Sequence, residues 1–291
     1  MGSPGDKVVE LFDGGPLAFC NPYPVDGRVS WHAAGARGWA PMNSYLLAGT
    51  ETAVLIDPGL SIHREDVLEQ VRGALNGREL VPLLLRQGEF DSICNVAPLV
   101  DRFGVRRIYG EFPDAFLWAD VVTDPELFAS ALDAGLENLQ LRPGETLEIE
   151  GYGGLEALPA TLRLLNTLWL FDARSGTLFT SDSFSYLVSD EATGPWVLDA
   201  GEEDRTTVAA VAEHLVTTRY WWLRGADVGP IRDWLRDVFA SREVNAIAPA
   251  FGRIVRGSEA VARHLELLDG AIARLGSEQS GPVADRRFER A

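Results

Sequence analysis

The sequence predicts an α/β protein with two mixed sheets stacked face to face and helices on the outside. Three observations carry this. Strands precede helices in the first part of the chain, and the same order returns after Pro143-Gly144. Each part contains a hairpin of apolar strands, Ser44 to Asp57 and Thr167 to Thr180. No internal repeat or low-complexity linker separates the parts, so a single two-sheet domain accounts for the order better than a doubly wound parallel sheet. At 291 residues the chain is long enough to bury a full core, and the domain is expected over residues 1–276.

The elements follow in order. SYLLAG and TAVLID form the first hairpin around Thr50-Glu51, and Pro58-Gly59 ends it. Val67, Leu68, Val71 and Leu75 have helical spacing. Leu80 to Leu85 is a short continuous apolar run, the pattern of a buried strand. A helix over Val96 to Phe103 and a strand over Arg106 to Tyr109 come next, followed by a further helical stretch. The second hairpin turns at Ala173-Arg174-Ser175-Gly176. Helices are expected near 204–219 and 228–240, a buried strand at Val244 to Ala248, and a last helix over 258–275 with Ser258 as its N-cap. The polar segment 277–291 reads as a flexible tail.

Composition narrows the function. A formal charge of −17 argues against nucleic acid and against an anionic membrane surface, both of which require clustered Lys and Arg. Two cysteines, Cys20 and Cys94, cannot make a Cys-rich zinc site. No apolar run reaches the ~18–20 residues of a membrane helix. The first residues are neither basic nor apolar, and Asp6 breaks a myristoylation pattern. A cytoplasmic location is the resulting expectation.

Four segments occur in the order and spacing of a known family. Asn43 to Gly59 resembles its opening hairpin ending in Asp. Leu83 to Ile93 (LLLRQGEFDSI) lies where its His-x-His-x-Asp-His loop falls. Thr177 to Phe184 (TLFTSDSF) resembles the strand that ends in a metal-bridging Asp, and Ala248 to Gly257 resembles the late strand and loop that carry the last His. The chain thus resembles the metallo-β-lactamase superfamily over about residues 8–275, implying an αββα sandwich. Glu89 in the loop, and the 18 residues between Arg163 and Asp182, match the flavodiiron, oxygen-binding di-iron branch. Carried over position by position, the resemblance keeps Glu89, Asp91 and Asp182. It puts Gln87, Ser92, Arg163 and Phe251 where that branch has histidines.

The four histidines, His32, His63, His214 and His264, fall in no ligand motif and read as surface or structural residues. His32 is the one expected at a pocket rim. Glu89, Asp91 and Asp182 repel one another if they converge, so a cation is required among them. Arg163 is expected to be that cation, with its planar fork suited to carboxylates. The expected catalytic set is therefore Glu89, Asp91, Arg163 and Asp182. The expected substrate-binding set is Gln87, Ser92, Phe251, Trp221, Trp222 and His32. No cofactor is expected, beyond a weak divalent metal at Glu89, Asp91 and Asp182, with Gln87 as a further oxygen donor. The leading functional expectation is a small molecule bound, and transformed by carboxylate acid/base chemistry, in a remodelled cleft. One alternative is a non-catalytic dimeric interaction or regulatory protein. The other is an atypical di-metal hydrolase or oxidoreductase of the same branch. A small-molecule ligand and a second copy of the chain are the expected partners.

Overall fold

Apolar strands of the first half pair in sequence order. The computed structural model describes residues 7–113, 125–133, 135–163 and 165–278. Its first sheet runs β1 (Val8–Glu10), β2 (Leu17–Val25), β3 (Gly38–Ala48), β4 (Thr52–Ile56), β5 (Glu79–Leu84), β6 (Arg107–Gly110) and β7 (Glu137–Gln140). Pairing is antiparallel as far as β4 and parallel from β4 onward. The second sheet contains β8 (Thr146–Ile149), β9 (Gly153–Pro159), β10 (Leu168–Asp172), β11 (Thr177–Ser181), β12 (Val197–Asp199), β13 (Ala246–Pro249) and β14 (Ile254–Arg256), in the order β12-β14-β13-β11-β10-β9-β8.

Alternation along the strands sets the layers, because successive side chains point to opposite faces. Tyr45, Leu47, Val54, Ile56, Val81 and Leu83 point inward and share one core with Leu155, Leu168, Leu170 and Phe179 of the other sheet. Their neighbours Leu46, Ala53, Leu55, Leu80 and Leu84 point outward, under Val67 and Val71 of the Arg64–Leu75 helix and Leu99 of the Val96–Phe103 helix. On the opposite side Trp169, Phe171, Leu178 and Ile247 pack beneath the Val208–Thr217, Gly229–Ala240 and Ser258–Ser277 helices. Each fully buried Leu, Ile or Phe contributes about 1.5–3 kcal/mol of transfer free energy.

Two expectations need adjustment. Ser258 is the first residue of the last helix rather than its cap, and Gly257 precedes it at φ 99° with no side-chain cap. Gly257 donates its amide to the Asn245 carbonyl as the chain leaves β14, which leaves the cap position to a residue suited to positive φ. The expected tail lies outside the described residues beyond 278, as do residues 114–124 of the central stretch.

Candidate functional site: a guanidinium–carboxylate cluster

Asp57 lies just past the C-terminal end of β4, Arg86 just past β5 and Asp182 just past β11, at one edge of the sandwich. Asp57 and the last residue of β11, Ser181, both adopt left-handed backbone, φ 46° and 52°. Non-glycine residues rarely do so, and such positions are held only where the surroundings fix them. The four-residue Phe90–Ile93 helix brings Glu89 and Asp91 in from the same loop, and the end of the Val208–Thr217 helix delivers Arg219.

Arg86 is the centre of the cluster. Its side chain is 1% exposed, with Nη1 donating to Asp182 and Nη2 to Asp91. Asp57 Oδ2 lies 3.8 Å from Nη2. Arg219 Nη1 donates to Glu89 Oε1 at 3.0 Å and to Asp182 Oδ2 at 3.2 Å, so Asp182 is shared by two guanidinium groups. Asp57 is itself fixed: its Oδ1 accepts from the Leu85 amide at 2.9 Å and from Ser92 Oγ at 2.6 Å. Among the described residues, Asp57 Oδ2, Asp91 Oδ1 and Arg86 Nε find no hydrogen-bond partner.

Three of the expected catalytic residues, Glu89, Asp91 and Asp182, thus converge. The expected cation does not. Arg163 is 41% exposed and lies 3.7 Å from Glu111. It sits in the connection between β9 and β10, whereas Arg86 directly continues a buried strand and has no loop to carry it outward. The role assigned to Arg163 is therefore filled by Arg86 and Arg219. An arginine that extends the apolar run of Leu80 to Leu85 without a break was the signal, since a charge there must be paired.

The expected binding residues divide. Ser92 is buried behind Asp57. Gln87 clasps the neighbouring loop, donating to the Phe112 carbonyl at 2.8 Å and accepting from the Phe112 amide at 3.2 Å. Phe251 is buried, stacked on Trp31 at 5.2 Å, with the Arg86 guanidinium 5.7 Å from its ring centre. Trp221 is 67% exposed, while Trp222 is partly buried against the helical core. His32 is buried and hydrogen-bonded through Nε2 to the Tyr23 hydroxyl at 2.7 Å. It also meets His214 edge to face, with ring centres 6.2 Å apart. All four histidines are buried, which corrects the surface reading and leaves the structural one.

Burial governs the electrostatics. It pushes Asp57 up to about 6, against the pull of Arg86. Asp182 is also raised by burial, with Arg86 and Arg219 opposing. Burial works against the charge on Arg219, but Asp182 and Glu89 outweigh it and raise its pKa. Tyr23 is raised by burial and by Asp91, and is lowered in part by Arg86 and Arg219, so its hydroxyl feels the cluster.

No family model matches the chain, and no curated protein matches it. Solved structures do. The metal-soaked flavodiiron core from Synechocystis aligns at TM-score 0.62 and 17% identity, over 90% of this chain and 60% of that one. A putative diflavin flavoprotein fragment from Nostoc aligns at 0.63 and 17%, over 92% and 95%. Rubredoxin oxygen:oxidoreductase from Desulfovibrio gigas aligns at 0.65 and 13%, over 91% and 61%. The chain spans about three-fifths of the length of the first and third.

These neighbours correct the expectation of no cofactor beyond a weak divalent metal at Glu89, Asp91 and Asp182. The Synechocystis core is a flavodiiron, hence di-iron, protein by name, and it was soaked with metal. Against an iron pair, the side chains of this chain do not fit. The guanidinium of Arg86 is bonded to both Asp91 and Asp182, and the side-chain hydrogen bonds of His32, His63 and His264 go to Tyr23, Pro22 and Tyr186 instead. Among the described residues no group of three His, Cys, Asp or Glu converges on one ion position. Iron sites combine imidazole with carboxylate donors. At these identities the likeness speaks for architecture, and the chain has the metallo-β-lactamase-like αββα fold of the flavodiiron protein core.

Proposed function

We propose that the chain uses this fold as a small-molecule binding protein, with the ligand held in the cleft at Glu89, Asp182 and Arg219. The observation that carries the reading is Asp182, which two guanidinium groups share at the edge of the cluster while burial keeps its carboxyl above the ordinary range. A carboxyl raised in this way exchanges protons closer to neutral pH, which is what acid/base work on a ligand requires. Glu89, 21% exposed, is the carboxylate a ligand meets first.

A fragment panel of mixed charge, screened by ligand-observed NMR, tests the reading. Hits that are lost in Asp182→Asn and Arg219→Gln support it, and a panel with no such hits removes it. The exposed aromatic side chains of Phe90 and Trp221 favour a second reading, an interaction or regulatory protein that dimerises through an apolar contact. Sedimentation of the parent and of Trp221→Ser separates the two: a dimer that dissociates in the variant favours the second.

A further inference from the structure

The loop of residues 26–37 leaves the first sheet at Val25 and returns to it at Gly38, and these two residues are paired in the β2–β3 ladder. Its ends therefore lie together, and it can move without breaking that ladder. The chain past Gly38 is fixed, because Trp39 exchanges both backbone hydrogen bonds with Ser189 at 2.7 Å. Within the loop the backbone bonds are local, His32 to Val29 and Ala36 to Ala33, and the Arg28 and Arg37 side chains also bond inside it. Among the described residues, one hydrogen bond ties the loop to the rest of the molecule, that of His32 Nε2 with the Tyr23 hydroxyl. His32 is also the one buried residue of the loop. Val29, Trp31 and Ala36 are partly buried against a small apolar cluster that includes Phe251. Trp31 stacks on Phe251, and Phe251 faces the Arg86 guanidinium. A loop of this length with no helix or strand of its own usually serves a function, and one with so few ties opens at low cost.

We propose that residues 26–37 are a lid, which lifts as one unit while both sheets stay folded and bares Phe251, the ring set against Arg86. The Val25–Gly38 pair is its pivot. Trp31 and His32 are its latch, one by stacking and the other by the bond to Tyr23. The movement needs no ligand, so it stands apart from the reading of Asp182 as a ligand residue.

The test uses the full chain at neutral pH, parent and His32→Ala, with hydroxyl-radical footprinting read residue by residue by mass spectrometry. His32→Ala removes the tie to Tyr23 and keeps the Trp31 ring. Labelling of Phe251 and Trp31 should rise by about threefold or more, the gain in open population on losing one hydrogen bond. Tyr45 and Phe179 of the inner core should stay as in the parent. Trypsin gives a second readout, because Arg28 and Arg37 lie in the loop and are exposed. Their cleavage in the parent should be nearly independent of urea below the unfolding transition, since lifting the lid exposes little surface. Trp31→Ala should quicken it by about tenfold, the loss of one stacked aromatic contact. Phe251 labelling that is unchanged in His32→Ala, or that rises only together with Tyr45, overturns the lid. So does cleavage at Arg28 and Arg37 that climbs with urea as steeply as global unfolding, a result that needs no variant to fold.

Discussion

Arg86 is the residue on which the cluster depends. Replacing it with Ala leaves Asp91 and Asp182 buried beside a single remaining guanidinium, a change that typically costs about 3–5 kcal/mol. Arg163, half-exposed at 3.7 Å from Glu111, should tolerate the same change within about 0.5 kcal/mol. Chemical denaturation of Arg86→Ala and Arg163→Ala at neutral pH checks both, and equal losses would contradict the assignment. Asp57 gives a second residue-level test. Its folded pKa of about 6 lies above the ordinary 3.8, so the folded state holds the extra proton between those values. Its contribution is therefore present below about pH 4 and is lost as pH rises through 6, on the order of 1–3 kcal/mol. Asp57→Asn keeps the acceptor for Leu85 and Ser92 and removes the titration. The variant's stability relative to the parent should be greatest near neutral pH and shrink as pH falls below 6. The carboxylates were legible in the sequence because spacing along a resembling motif places them. The cation was not, because motif spacing describes positions that hold ligands and says nothing of an arginine one residue outside the pattern. Arg219 lies in none of the four segments that carry the resemblance.

At the scale of elements, periodicity did most of the work. The second hairpin and the buried β5 lie within a residue of where their apolar pattern puts them, while β3 begins at Gly38, six residues before the expected Ser44, and the Arg64–Leu75 helix starts three residues before Val67. What the pattern could not show is how the sheets are joined at their edges, since that depends on contacts distant in sequence. One such joint is the turn between β3 and β4. Thr50 donates its amide to the Glu150 carbonyl at 2.7 Å, and Gly49 donates to the Thr52 carbonyl. A Cβ on Gly49 would overlap the Glu150 carbonyl oxygen and crowd Ile149. Backbone cannot move aside as a flexible side-chain tip can. Gly49→Ala should therefore destabilise the protein by about 1–3 kcal/mol despite the better strand propensity of Ala. Equilibrium unfolding measures this, and a neutral result would mean that the turn relaxes.

The whole molecule carries a pH limit set by its histidines. Burial lowers His32 and His264 to about 4 and His214 to about 3, below the ordinary 6.5. The unfolded chain then binds more protons, so stability is present above 6.5 and is lost as pH falls toward those values. At pH 5 each neutral histidine costs roughly 2 kcal/mol relative to neutral pH. Asp57 returns only about 1 kcal/mol over the same range, so acid destabilisation wins. Denaturation at pH 7, 6 and 5 should show the loss, and His214→Phe should reduce it by roughly 2 kcal/mol, the share of one histidine. The two sheets hold a further consequence, for synthesis. The first sheet is built entirely from residues 8–140 and the second entirely from 146–256. On the ribosome, at about 5–20 residues per second, the first sheet is complete while its inward face still lacks a cover. Arg86 waits beside Asp57 and Asp91 during that interval, because Asp182 and Arg219 have yet to emerge. Nascent chains halted near residue 145 should therefore bind holdase chaperones and be digested readily by protease, and chains released at full length should resist it.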